Sequence, residues 1–309
     1  MGENEALVAA GDGEIFVRAV GGGDARASVL IAVHGGPGIS HEPLEALEAL
    51  SSPRRVVVTY DQRRVGRSTG TVDESRVFDQ AVDDLDLVRR FLRAPRVHLL
   101  GHSFGGLLAA LYAARHADRV ASLSLIDSIP ATSHELEQAM KTRRARLAAF
   151  QARGLVPADL PSWEEDARAR LLALWPIYFV DPRHPGARSL GGARLSARAA
   201  AAGNRALNEY DMTTELARVT APTLHFIASV PFGSAMAQAM ARALPNAPSR
   251  RILLTAAGHL PFIEQPDAFV AELERFLAEI EGAEDVESMD KTPGPEPKSE
   301  DGPFRRAQG

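Results

Sequence analysis

The chain has 309 residues, 45% of them hydrophobic and 24% charged, enough apolar material for one large α/β domain or a domain carrying an insertion. A formal charge of −5 gives no footing for nucleic acid, and the absence of cysteine excludes disulfides, thiolate catalysis and cysteine metal sites. No apolar run approaches the ~20 residues that cross a bilayer, and the N-terminus lacks a basic region followed by an apolar stretch. Ala6 stands where a myristoylation motif needs Ser or Thr, so a cytoplasmic protein without membrane or nucleic-acid partners is expected.

Residues 5–20 read as a hairpin, with alternating runs at Ala6-Leu7-Val8 and Ile15-Phe16-Val17 around Gly11-Asp12-Gly13. Short continuous apolar runs follow at 29–33, 55–60, 97–100 and 123–126, and again at 223–229 and 251–255. Such runs suit strands covered on both faces. Helical stretches at 78–93 and 107–116 lie between them, and the alternation predicts a mostly parallel sheet with helices on both sides. The alternation stops at Ser128 and resumes near Leu216, with helical periodicity at 135–153 and 163–174 between. The division expected is an α/β core at 1–130 and 211–281, a helical cap at 131–210, and a disordered tail at 282–309 rich in proline and charge.

The sharpest chemical signal is Gly101-His102-Ser103-Phe104-Gly105-Gly106, between a strand and a helix opening at Leu107. A serine at the centre of G-x-S-x-G occupies a tight strained turn that holds its hydroxyl above the sheet, with the N–H of Phe104 aimed at a developing oxyanion. The run His34-Gly35-Gly36-Pro37-Gly38 follows the strand 29–33, and its exposed backbone N–H groups make Gly36 the second candidate oxyanion donor. Late in the chain, Gly258-His259 lies on a loop beyond the last strand, where the order Ser…Asp…His puts the general base.

These motifs, with Asp61-Gln62-Arg63-Arg64-Val65-Gly66-Arg67-Ser68, resemble the proline iminopeptidase branch of the α/β-hydrolase fold across residues 5–281. The resemblance implies an eight-stranded, mostly parallel sheet, a helical cap after strand six, and a cofactor-free, metal-free Ser-His-Asp hydrolase. It covers aminopeptidases, amidases, esterases and lactone-opening enzymes. Two departures stand out. Arg64 occupies the place of a usual glycine, where it alters the loop, faces the pocket or is simply exposed. More seriously, residues 222–233, which span strand seven and the turn after it and match the family's usual acid segment, contain no carboxylate.

Asp127, at the end of strand six, is the candidate replacement, because some α/β-hydrolases resemble this arrangement; a bare strand-end cap is the alternative role. Asp211 reads as a structural lead-in to strand seven and Asp267 as the cap of the last helix. Between Thr132 and Tyr210 there are twelve Lys and Arg against eight Asp and Glu, mostly solvated helix faces by expectation. Trp163, Trp175, Tyr178 and Phe179 are candidates for an apolar roof over Ser103. Cap carboxylates hold the substrate amine in iminopeptidases, and Glu164 and Glu165 are the nearest equivalents.

The function expected is a serine hydrolase cleaving a small amide or ester, or a short peptide, through an acyl-enzyme on Ser103. Acyl transfer or lactone chemistry shares that intermediate, and a degraded hydrolase with a binding or non-hydrolytic role is the alternative from another class. Epoxide hydrolysis and dehalogenation need a carboxylate nucleophile, which Ser103 excludes.

Overall fold

The computed structural model describes residues 2–290. Eight strands form one sheet: β1 (Gly2–Ala10), β2 (Gly13–Gly21), β3 (Ser28–Val33), β4 (Arg55–Tyr60), β5 (Val97–His102), β6 (Val120–Ile126), β7 (Thr223–Ala228) and β8 (Ser249–Leu254). Their spatial order is β1-β2-β4-β3-β5-β6-β7-β8. β1 and β2 pair antiparallel around the turn at Gly11 and Asp12, β2 pairs antiparallel with β4, and every later pairing is parallel. The switch in strand order between β3 and β5 is where a doubly wound sheet opens a crevice at its carboxyl edge.

The central strands lack polar alternation because both faces are covered. Period two sends Ile31, Val33, Leu99, Leu123 and Leu125 to one face and Leu30, Ala32, Leu100, Ile126 and Phe226 to the other, and all are buried. On the first face lie α1 (Val77–Phe91), α2 (Phe104–Arg115) and, after β7, α7 (Pro231–Ala243). Val82, Leu85 and Val88 form the buried stripe of α1, whereas α2 is buried from Phe104 to Ala113 because it sits between sheet and neighbouring helices. On the second face lie the turn of 3-10 helix Glu42–Leu50 and the long α9 (Pro266–Asp290).

Between β6 and β7 the chain inserts α3 (Ser133–Ala152), α4 (Trp163–Leu174), α5 (Ala197–Ala206) and α6 (Thr213–Leu216). Their starts are written in the sequence. Thr132 accepts from the N–H of Glu135, Ser196 from that of Ala199, and Ser162 with Glu165 closes a reciprocal capping box. The short α8 (Pro261–Glu264) leads into α9, where Asp267 sits inside the first turn instead of capping it.

One expectation changes, and one left open is resolved. α9 continues past Glu281 to Asp290, so the tail read from composition is helical in its first part; residues 291–309 lie outside the described residues. Arg64 adopts φ 64°, the left-handed conformation that a glycine takes freely, and its side chain is exposed. The loop therefore keeps its glycine-type backbone, at a cost of ~1–2 kcal/mol, and Arg64 lines neither of the two clefts described below.

Candidate active site

Ser103 links β5 to α2 at φ 54°, ψ −116°, a conformation costly for a non-glycine residue. Packing holds it there. Its N–H donates to the carbonyl of Ile126, and its own carbonyl accepts from the N–H groups of Gly106 and Ile129. Added Cβ atoms at Gly101, Gly105 and Gly106 would fall 2.2 to 2.5 Å from neighbouring atoms, so only glycine lets helix, strand and loop approach this closely. The first N–H groups of α2, beginning with that of Phe104, have no acceptor within the helix.

Two interlocked loops hold the facing backbone. His34 Nε2 accepts from the N–H of Gln62 at 2.9 Å, its Nδ1 donates to the carbonyl of Gly35 at 2.8 Å, and the Gln62 amide donates to the carbonyl of His34 at 2.7 Å. Burial holds the His34 imidazole below its ordinary pKa, hence neutral, as these roles require. One oxygen of buried Asp61 accepts from the N–H and ring of His41 and the other from the N–H of Arg67. The inserted segment joins this frame through Ser40 N–H to Arg194 carbonyl at 3.0 Å and Ser196 N–H to Gly38 carbonyl at 2.9 Å.

His259 follows β8 on a loop held from three sides. Its N–H donates to the carbonyl of Tyr178 at 2.7 Å, and its carbonyl accepts from His102 Nε2 at 2.9 Å. Glu264 accepts from Gly258 N–H at 2.5 Å and from Val180 N–H at 2.8 Å, tying the histidine loop to the inserted segment. Glu264 and His102 are contributions the sequence reading did not identify. A carboxylate five positions after a histidine has no chemistry of its own until the fold brings Val180 to it. Glu264→Ala leaves two buried N–H groups unpaired and is expected to cost roughly 2–4 kcal/mol, lowering the melting temperature by several degrees in calorimetry.

The His259 ring faces Asp127, with Nδ1 to Oδ2 at 3.1 Å. Asp127 is buried, at φ 41°, and its Oδ1 accepts from the N–H of Ala228 at 3.0 Å. A Cβ on Gly233, in the first turn of α7, would lie 2.2 Å from Oδ2, so that helix start leaves space only for the carboxylate. The positive end of α7 thus adjoins Asp127. Where the family's usual acid would stand, the chain begins a helix: Pro231 is exposed, and the buried ring of Phe232 packs 5.6 Å from that of His259. Burial pushes Asp127 up to about 7 and His259 down to about 3, the positive charge of Arg143 adding to the second shift. Both shifts express one fact: a dry site resists holding a separated charge. Asp211 instead accepts from the N–H of Thr213, a local turn away from this pair.

Ser103, His259, Gly36, Trp175, Tyr178, Leu171 and Ser40 line one cleft of about 510 Å³. Phe179 is buried beside it, stacked on His184. Trp163 is 45% exposed and lies under the guanidinium of Arg170, outside the cleft wall. Trp163 precedes Leu171 and Trp175 by eight and twelve positions, roughly 80–120° round an ideal helix, and a non-helical Asp166 intervenes. Glu165 is committed to the capping box, and the side chain of Glu164 lies outside the described residues. A separate hollow lined by Tyr60, Gln62, Asp84 and Phe104 contains neither Ser103 nor His259.

Among the described residues no helix is long and apolar enough to cross a membrane. The model of the alpha/beta hydrolase fold family matches residues 28–266. The chain is 28% identical over 269 residues to a proline iminopeptidase of Lactobacillus helveticus, covering 80% of this chain and 89% of that one. It is 29% identical over 283 residues to that of Levilactobacillus brevis, covering 86% and 93%. The crystal structure of a proline iminopeptidase-related protein from Thermus thermophilus superposes with a TM-score of 0.68 at 27% identity, covering 90% of this chain and 98% of that one. The chain belongs to the α/β-hydrolase fold family, resembles the proline iminopeptidases within it, and is a hydrolase enzyme.

Proposed function

We propose that this protein is a serine hydrolase that cleaves a small ester or amide through an acyl-enzyme on Ser103, with His259 as general base and Asp127 as its orienting acid. The observation that carries this reading is the 3.1 Å contact between His259 Nδ1 and buried Asp127, with His259 lining the same cleft as the strained Ser103. With Nδ1–H held by the carboxylate, Nε2 is the nitrogen left to accept the serine proton. Attack on the acyl carbon creates an oxyanion, for which the N–H groups of Phe104 and Gly36 are the proposed donors. His259 then returns the proton to the leaving group, and water repeats the sequence to release the acid.

The helices inserted between β6 and β7 act in this reading as a cap. Leu171, Trp175 and Tyr178 supply an apolar wall that limits the size of the substrate and keeps water from the acyl-enzyme. The test is labelling by a fluorophosphonate probe with the modified peptide identified by mass spectrometry. Labelling confined to Ser103 is the expected result, and labelling elsewhere or none at all overturns the reading.

A further inference from the structure

The general base of an acyl-transfer site must hand its proton to the leaving group, so the leaving group sits in the cleft within reach of that base. In this reading, which rests on the proposed serine hydrolase, the leaving-group side is occupied by Tyr178. Its ring lies 5.5 Å from the His259 ring, its carbonyl holds the His259 N–H, and it lines the cleft with Ser103.

Behind Tyr178 stands Arg143 of α3. One guanidinium nitrogen donates to the Tyr178 hydroxyl at 2.7 Å, and the guanidinium carbon is 5.2 Å from the ring centroid. A phenol oxygen that accepts from an arginine keeps its own O–H to give away. Arg143 is half-buried and forms no ion pair among the described residues. Its neighbour Arg146 spends its donors on the carbonyls of Ile177 and Phe179, adding a second positive charge to the same wall. Glu264, the nearby carboxylate, is taken by two backbone N–H groups. None of the residues lining the cleft is an acid. A partly desolvated cation without a counter-ion is an incomplete arrangement, and an anion delivered by the substrate completes it.

We propose that Arg143 and Tyr178 together recognise a carboxylate on the leaving group, so that the substrates are esters or amides whose departing alcohol or amine ends in a carboxylate. The acyl group reacts at Ser103, while the carboxylate of the departing half meets the Tyr178 hydroxyl in the cleft, and the Arg143 guanidinium, which does not itself line the cleft, acts on it through that hydroxyl from behind.

The experiment uses three acetate esters with one acyl group and differently charged phenols: phenyl acetate, 4-carboxyphenyl acetate and 4-(aminomethyl)phenyl acetate. Each kcat/KM is divided by that ester's rate with hydroxide, which removes intrinsic reactivity. The full-length enzyme is expected to favour the carboxylate over the ammonium ester by about tenfold or more at low salt, and less at high salt. Arg143→Gln should bring the ratio near unity, Arg143→Lys should retain part of it, and Arg143→Glu should reverse it. A wild-type ratio near unity or favouring the ammonium overturns the proposal, as does an Arg143→Gln that slows all three esters equally. If that variant does not fold, Arg143→Lys and the salt dependence of the wild-type ratio decide. Fluorophosphonate labelling of Ser103 runs alongside: labelling without charge discrimination sinks this inference alone, and its absence sinks the hydrolase reading beneath it.

Discussion

Ser103→Ala is expected to reduce kcat by about 10⁶ and to abolish fluorophosphonate labelling while the protein still folds. The magnitude follows from the way a nucleophile and its base act as a unit. On the proposed mechanism, removing Oγ removes the acyl-enzyme itself, and only the proposed oxyanion donors and the cleft remain to assist water. Folding should survive for a local reason. The strained backbone at φ 54° is held by bonds from the main chain of residue 103 to Ile126, Gly106 and Ile129, none of which involves the hydroxyl. Circular dichroism and a melting curve close to those of the parent, with turnover and label both lost, are the expected pair of results. Substantial residual turnover, or label moved to another serine, would reject Ser103 as the nucleophile.

Asp127→Asn is expected to lower kcat by about 10⁴, because an amide at that position favours the wrong imidazole tautomer and cannot stabilise the imidazolium. It should also move the pH profile in a definite direction. On the proposed mechanism, the base of the parent works only after the buried pair has lost its shared proton. Burial raises Asp127 from its ordinary carboxylate range to about 7. The acid limb of kcat/KM therefore belongs to the pair and should lie near pH 7, with activity rising through it to a plateau on the alkaline side. Without the carboxylate, His259 titrates alone, and burial with the Arg143 charge keeps it well below an ordinary histidine. The residual activity of the variant should thus persist to lower pH than that of the parent. Rate profiles with one ester check both signs, and a limb that stays put would show that Asp127 does not share the proton. An acid introduced at Pro231 is not expected to rescue the variant: that position is exposed, and Phe232 fills the side facing His259.

The two predictions differ in how far the sequence alone supports them. The strand–turn–helix setting of Gly101 to Gly106 points to a nucleophile through local rules, since the tight turn, the small neighbours and the helix start all lie within six residues. The same holds for the sheet. Runs such as Val97 to Leu100 and Leu123 to Ile126 are apolar without alternation because helices cover both faces, and that pattern survives in one dimension. Helical periodicity is local as well and gave the first two inserted helices near 135–153 and 163–174, whereas α5, capped by Ser196, was not read from the sequence.

Other features depended on residues brought together from far apart in the chain. The carboxylate-free stretch after β7 poses the question of the acid in the sequence, and chain order singles out Asp127. The distance to His259 is set only by parallel pairing of β6 with β7 and the tight start of α7 at Gly233. Trp163 and Trp175 look equivalent as aromatic residues of one helical stretch, yet helix phase and the break at Asp166 leave one in solvent and the other in the cleft. Composition identified residues 282–309 as poor in core material, but α9 carries its helix through Asp290, because a hydrogen-bonded helix can extend beyond the part that packs. Glu264 and Arg143 gave no signal at all. A carboxylate becomes a clamp only when the N–H groups of Val180 and Gly258 converge on it, and an arginine on an exposed-looking helix comes to the back of Tyr178 only when that ring folds between it and His259. Local periodicity and turn chemistry are short-range and remain readable along the chain, whereas the charge and shape of this cleft arise from contacts between segments that meet only in the folded sheet.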